Sequence, residues 1–376
     1  MLQVSGFADA GYTSASLASG AGPNGGGRAI TAGFGASPYV FDNLNQAIQF
    51  HNFNVQVAYN GPIGGKVELS LGDDANVLNS YPKSFLAPGT SVDITQAYLS
   101  GKAGAFTAMI GKFETLAGAE VLESPSDMNF SRSILFGYAV PFTHTGGRLT
   151  YAATSTLNII AGLNKGWDTV STLGCNNGFK TGIAPACDSD ALTFEGGAAW
   201  NPGKAFGITL QGYSGSVPQG SAYATPGLFV VSPSRPQRSL IDTVITWHAT
   251  PKLTIVANGD AGQQTNSNYR NNLGGLVGYG TGTWSGVALY GNYAINSAWS
   301  VTGRAEYMGD YGGLRTGISQ RWGEATGTLQ YAPNANIIVR GEVRGDKSNQ
   351  LFFNGPTGAK YRGNAQFGIE TIVKWP

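Results

Sequence analysis

Charge is scarce in this chain. Asp, Glu, Lys and Arg together make up 12% of its 376 residues, about half of the ~25% usual in a soluble domain. The signs are balanced, with 23 Lys and Arg against 22 Asp and Glu, for a formal net charge of +1. No basic stripe is available to neutralise phosphates, which argues against a nucleic-acid partner. Only three histidines (His51, His144, His248) and two cysteines (Cys175, Cys187) occur. The cysteines have no further Cys or His beside them, so a zinc-type site is not expected, and no cofactor is implied. No stretch approaches the ~18 consecutive apolar residues that a membrane helix requires. A basic start followed by an apolar segment is missing too, so no signal peptide is visible. Met1 runs directly into an alternating pattern, Leu2 to Tyr12, and the numbering is read as that of a mature, exported chain.

What is abundant is glycine, at 56 residues, and aromatic side chains, with 17 Tyr, 18 Phe and 7 Trp. Mean hydropathy is −0.09, so the polar load is carried by Asn, Ser, Thr, Gln and Gly. A barrel whose outside faces lipid and whose inside faces water accommodates both features. The turns supply its frame. Short Gly/Pro/Asn/Ser connections fall at 60–65, 101–104, 154–156, 201–204, 250–252, 295–298 and 332–335, as steric preference dictates. Seven tight turns join seven hairpins and leave one strand at each end. The predicted strands are 2–13, 46–60, 66–73, 92–101, 105–113, 147–154, 157–165, 191–200, 205–215, 239–249, 253–261, 283–294, 299–308, 318–331, 336–345 and 363–375. Sixteen is even, so both termini fall on the side of the tight turns, the periplasmic side of an outer-membrane barrel.

Alternation supports this frame. Trp299, Val301, Gly303, Ala305 and Tyr307 share one face, and Ser300, Thr302, Arg304 and Glu306 the other. Ile337, Val339, Gly341 and Val343 likewise oppose Ile338, Arg340, Glu342 and Arg344. Charges keep to the face opposite the apolar ladder because a charge at the lipid midplane costs about 2–4 kcal/mol. Aromatics near strand ends (Tyr12, Tyr59, Tyr151, Trp200, Trp247, Trp299, Tyr307, Tyr331, Trp375) fit interface girdles. The phase slips around 93–99 and 321–325, where bulges or misplaced boundaries are expected. A soluble propeller would repeat blade motifs at ~40–50 residues, and none is found. The expected fold is therefore all-β, a single transmembrane antiparallel barrel over 1–376 with short periplasmic turns and long extracellular loops.

The long loops fall at about 14–45, 74–91, 114–146, 166–190, 216–238, 262–282, 309–317 and 346–362. The third carries Leu122, Ile134, Leu135, Phe136, Val140 and Phe142, too apolar to float in water, and is expected to pack into the lumen as a constriction or onto the rim. Three runs carry a family resemblance: Gly111-Lys-Phe-Glu-Thr115, Asn129-Phe-Ser-Arg-Ser-Ile-Leu-Phe-Gly137 and Pro141-Phe-Thr-His-Thr-Gly146, with Asp93-Ile-Thr-Gln-Ala-Tyr98 before them. They resemble the second family of β-barrel porins over about a tenth of the chain. The resemblance implies an outer-membrane barrel and is silent on the solute.

The same loop bears Glu114, Glu120, Glu123 and Asp127, with Arg132 and His144 as possible internal partners. Half a turn away the wall carries Arg304, Arg340 and Arg344, interleaved with Glu306 and Glu342. An acidic loop opposite a basic wall would make a transverse field that sets ion preference, unless the two wall glutamates neutralise their own arginines. Lys66, Glu68, Arg148, Glu195, Asp242 and Glu370 read as general lumen lining. Ser131, Ser133 and His144 invite a hydrolase reading, but no nucleophile elbow accompanies them. Gly25-Gly-Gly-Arg28 lacks the lysine of a phosphate loop. Cys175 and Cys187 are expected to close a short disulfide loop in an oxidising compartment.

The expected function is passive diffusion of small hydrophilic solutes or ions through a bacterial outer-membrane porin, without catalysis. Its partners would be the lipid bilayer, the solutes and further copies of the chain in a homotrimer. The alternative is a plugged or sheathing barrel that scaffolds a partner such as a periplasmic electron carrier. A membrane-embedded hydrolase is the third.

Overall fold

Period-two alternation closes the molecule on itself, because a sheet with one apolar and one polar face in lipid is satisfied only without edges. The computed structural model describes residues 2–16, 39–42, 47–78, 80, 91–169, 192–217, 236–270, 276–354 and 359–376. Its strands are β1 (Leu2–Ala15), β2 (Ala47–Tyr59), β3 (Ile63–Leu71), β4 (Val92–Ala103), β5 (Phe106–Glu114), β6 (Thr143–Ala152), β7 (Leu157–Asn164) and β8 (Thr193–Gly203). They continue with β9 (Phe206–Ser216), β10 (Gln237–Thr250), β11 (Leu253–Arg270), β12 (Leu276–Ala294), β13 (Trp299–Tyr311), β14 (Gln320–Asn334) and β15 (Ile337–Ser348). A two-residue pair, β16 (Phe353–Asn354) and β17 (Lys360–Tyr361), stands apart, and β18 (Gly363–Trp375) completes the chain. β1–β15 and β18 form a closed antiparallel barrel of sixteen strands, the first pairing with the last from Gly6↔Trp375 to Ala15↔Gln366.

The frame read from the tight turns holds; boundaries at the turns shift by up to three residues, as at the start of β3 and the end of β14, and the largest differences lie at the outer ends of strands. β11 runs to Arg270 and β12 starts at Leu276, so most of the expected sixth loop is strand. Its Gln, Thr, Asn and Gly residues continue the ladder beyond the lipid, where no apolar face marks them. β6 begins at Thr143, which moves Thr143–Gly146 of the family motif from loop to strand. Two short helices, α1 (Asp73–Leu78) and α2 (Ile134–Tyr138), were not foreseen. The expected Cys175–Cys187 disulfide lies outside the described residues.

Of the two expected irregularities one is present. Between Glu68↔Gln96 and Leu69↔Ile94 the register leaves Thr95 as an extra residue, a bulge. At 321–325 the ladder is unbroken, and the apparent slip arose because Trp322 points inward, 1% exposed. A second bulge, unforeseen, lies between Asp9↔Asn52 and Ala10↔Phe50 and turns His51 inward beside Asn52.

The outer face is apolar: Phe53, Val57, Leu99, Ile110, Leu149, Phe194, Leu289 and Val343 are all exposed there. Aromatics next to the tight turns stack in pairs, Phe106 on Tyr151 at 4.8 Å and Trp299 on Tyr331 at 4.5 Å, as an interface girdle requires. The buried apolar cluster is on the other side, within the barrel. It joins Tyr39 and Phe41 of the first loop, Leu78, Leu122, Leu135, Phe136 and Phe142 to inward wall residues such as Tyr213, Trp284 and Trp322. One consequence is testable. Leu289→Arg places a charge on the lipid face and should lower barrel stability by about 2–4 kcal/mol in urea titrations of refolding into lipid vesicles. A change near zero would mean this face does not meet lipid.

Candidate functional site

The connection between β5 and β6, residues 115–142, lies against the inner wall. Local sequence shapes it. Gly118 has φ +97, a conformation that side chains oppose. Pro125 opens a single 3₁₀ turn at Ser124–Ser126. Ser133 caps α2, its hydroxyl accepting from Phe136 N at 3.0 Å. Asp168 receives the N–H groups of Phe142 (2.7 Å) and Thr143 (3.0 Å) where the loop enters β6.

Carboxylates of the far wall grip the loop backbone. Glu342 on β15 accepts from Phe130 N at 2.8 Å and Ser131 N at 2.9 Å. Glu306 on β13 accepts from Ile134 N at 2.6 Å and Leu135 N at 3.1 Å. In each case one carboxylate spans two successive N–H groups, a charge-assisted fork stronger than a neutral bond. The arginines do the converse with carbonyls. Arg340 donates to the carbonyls of Ser124 (3.1 Å) and Asp127, Arg304 to Ser131 O at 2.6 Å, and Arg344 to Arg132 O at 2.8 Å.

The predicted loop acids divide between internal and cross-lumen contacts. Glu120 accepts from Ser133 N at 2.9 Å, Tyr290 OH at 3.1 Å and Arg304 Nη1 at 3.0 Å. Asp127 pairs with Arg132 inside the loop, and Arg132 stands 5.4 Å from the ring centres of both Phe41 and Phe136. Glu114 turns back to Leu122 N at 2.9 Å. Glu123 reaches Lys66 on β3 at 3.3 Å, and both members of that pair stay partly exposed. On the wall, Arg340 pairs with Glu370 at 2.9 Å, Arg344 with Asp346 at 2.9 Å and Arg304 with Glu324 at 2.8 Å. The acidic loop and the basic wall therefore meet in direct contact, with Arg304, Arg340 and Arg344 all buried. Among the other expected lining residues, Glu68 pairs with Lys66 at 2.7 Å and Arg148 with Glu195 at 2.8 Å.

Ser131, Ser133 and His144 are not brought together. Ser131 Oγ accepts from Arg304 and Arg344, and Ser133 Oγ caps α2. His144 stacks on Tyr213 with ring centres 4.7 Å apart and lies 3.3 Å from Thr115 Oγ1.

The sequence reading missed a second insertion. Tyr39 of the first loop donates to Asp346 Oδ2 at 2.8 Å and lies 4.9 Å beneath Arg344, while Phe41 stacks on Phe136 at 5.9 Å. The Tyr-Val-Phe run at 39–41 was its only signal, hidden in a glycine-rich loop. Burial lifts the neighbouring Asp42 carboxyl to about 7, against the lowering effect of His51, 3.8 Å away. An acid raised in the fold stabilises it most below about pH 4, and that contribution fades as pH rises through about 7. Amide exchange in Tyr39–Asp42 should thus quicken between pH 4 and 7 beyond its intrinsic pH dependence and lose that excess in Asp42→Asn; an identical profile in both refutes it. For the forks, Glu342→Gln replaces an acceptor by a donor facing an N–H and should cost about 1–3 kcal/mol. New proteolytic cleavage within 115–142 is expected, and an unchanged digest would count against the fork.

The family model described as "Putative beta-barrel porin-2, OmpL-like" matches residues 1–375. No curated protein matches. Among solved structures the chain is similar to the outer membrane channel DcaP of Acinetobacter baumannii, with 13% identity, TM-score 0.62, and 100% of this chain and 97% of that one covered. It is also similar to an anion-selective porin from Comamonas acidovorans, with 8% identity, TM-score 0.63 and coverage of 100% and 99%. The trimer form of OmpT of Vibrio cholerae gives 12% identity, TM-score 0.61 and coverage of 100% and 99%. At these identities the likeness is one of fold.

Proposed function

The chain belongs to that β-barrel porin family, an outer-membrane family, and from this premise we propose that small hydrophilic solutes diffuse passively through its lumen past a constriction made by residues 115–142. The observation that carries the proposal is the inner wall. Asn54, Gln96, Asn164, Gln211, Asn258 and Thr328 are all buried towards the barrel interior, and all but Gln211 bond to inward carboxylates, a polar inner wall of the kind an aqueous channel needs. Glu114, Glu120, Glu123, Asp127 and Arg132 of the loop, with Arg304, Glu306, Arg340, Glu342 and Arg344 of the wall, set the bore by holding the loop in place. Lys66 and Glu123, still reached by water, border the passage directly.

In this reading the protein has no chemistry of its own, and its partners are outer-membrane lipid, solutes and further copies in a trimer. A barrel that sheaths a periplasmic electron carrier would need a free apolar lining for it. Here the apolar lining is occupied by the chain's own Phe41, Phe136 and Phe142, which favours the pore. In planar bilayers the refolded protein should give stable conductance steps that scale with salt concentration. Silence from protein with intact barrel mobility on unheated gels would rule the pore out and leave the plugged or sheathing barrel.

A further inference from the structure

Charge in this barrel is sorted by sign. All twenty carboxylates among the described residues are buried or half-buried, and none is exposed. Of the eighteen Lys and Arg side chains described, eleven are buried or half-buried and seven are exposed. The exposed ones stand at the two ends of the barrel, among them Lys102, Lys204 and Lys252 by the tight turns and Arg321, Lys347 and Arg362 at the opposite rim. A chain of net charge +1 thus hides twenty acids against eleven bases, an excess of nine acidic groups, of which Asp42, lifted to about 7, is only part-ionised at neutral pH. The undescribed side chains are five bases and two acids; all turned inward, they would still leave an excess of six. Buried His51 and His144 would offset two more if protonated.

Hydrogen bonding does not remove this charge. Glu342 and Glu306 are held by neutral backbone N–H groups, and Asp310 receives the N–H groups of Leu314, Arg315 and Thr316. Such donors stabilise an anion and leave its field in place. The sharpest imbalance is on β10 and β11, where Asp242 and Asp260 are direct cross-strand neighbours. Asp242 accepts from Asn258 Nδ2 at 2.6 Å. Asp260 is 4% exposed, and among the described residues its carboxyl is met only by that of Asp242. No Lys or Arg among the described residues forms an ion pair with either. Like charges directly opposite repel, and a buried charge without a partner is costly, so the pair either shares one proton, keeping a single negative charge, or takes a positive partner from outside the chain.

We propose that the lumen admits cations in preference to anions, with Asp242 and Asp260 as its strongest fixed negative site. A low-dielectric channel wall of one sign concentrates counter-ions of the other. This rests on the porin reading above. The full-length protein in a planar bilayer under a KCl gradient should show a reversal potential of the sign set by K⁺ permeation. That preference should grow as both solutions are diluted, because the screening length lengthens. Asp260→Asn, nearly isosteric and one charge poorer, should bring the K⁺/Cl⁻ permeability ratio several-fold closer to one, and Lys252→Gln at an exposed turn should leave it unchanged. A zero or anion-signed reversal potential in the wild type overturns the proposal. A ratio unmoved by Asp260→Asn removes the pair from it, as a proton shared between the two carboxyls would. If the variant fails to refold, the wild-type dilution series still decides the preference. Silence overturns the porin reading as well, whereas conductance without preference overturns this inference alone.

Discussion

Two glutamates on the barrel wall, each bonded to a pair of consecutive backbone N–H groups, decide where the third loop lies. Glu342 takes Phe130 and Ser131, and Glu306 takes Ile134 and Leu135. A loop crossing a barrel has orphan donors and acceptors along its length, and each left buried without a partner costs about 1–3 kcal/mol. Here the wall supplies both kinds. Its carboxylates meet the N–H groups, and its arginines meet the carbonyls of Ser124, Asp127, Ser131 and Arg132. Once the backbone is satisfied, Leu135, Phe136 and Phe142 can pack as a core inside a structure whose outside is also apolar. Without those partners the same hydrophobic side chains would have to drag an unsatisfied backbone with them.

This arrangement inverts the usual expectation for a wall of arginines. Free in a water-filled lumen, Arg304, Arg340 and Arg344 would present a positive surface. Buried and paired, they act as struts, and truncating one member of such a pair typically costs about 3–5 kcal/mol. Positive charge goes instead to the rims, and the interior keeps an acidic surplus. Structure and electrostatics are therefore set by the same side chains, because the carboxylates needed to hold backbone N–H groups also give the lumen its sign.

Much of the fold was legible because lipid imposes a strict code. Tight turns need Gly, Pro, Asn or Ser, and lipid-facing positions need apolar residues at every second place, so the sixteen strands follow within a few residues. The code lapses where lipid ends. The polar continuations of β11 and β12 read as loop because their outer faces meet water. It also lapses where an aromatic turns inward: Trp284 and Trp322 donate to Ala139 O and Asp346 Oδ1 within the barrel, although their size suggests a lipid or interface position. The loop's charged residues could be named from sequence, but not their partners, since pairs such as Glu120 with Arg304 join residues 184 apart in the chain. Nor could the Tyr39–Asp42 insertion be read, because four residues carry no period.

The length of β11 and β12 has a consequence for how the barrel meets its surroundings. They run to 18 and 19 residues, where a tilted strand needs only ~9–11 to cross the bilayer. At about 3.3 Å per residue, the surplus of this hairpin rises some 20–30 Å along its own axis beyond the lipid. β6 and β7, at 10 and 8 residues, have no such surplus. Among the described strands the rim is consequently uneven, with β11 and β12 standing well above β6 and β7. A solute drifting along the cell surface meets this hairpin as a parapet beside the opening.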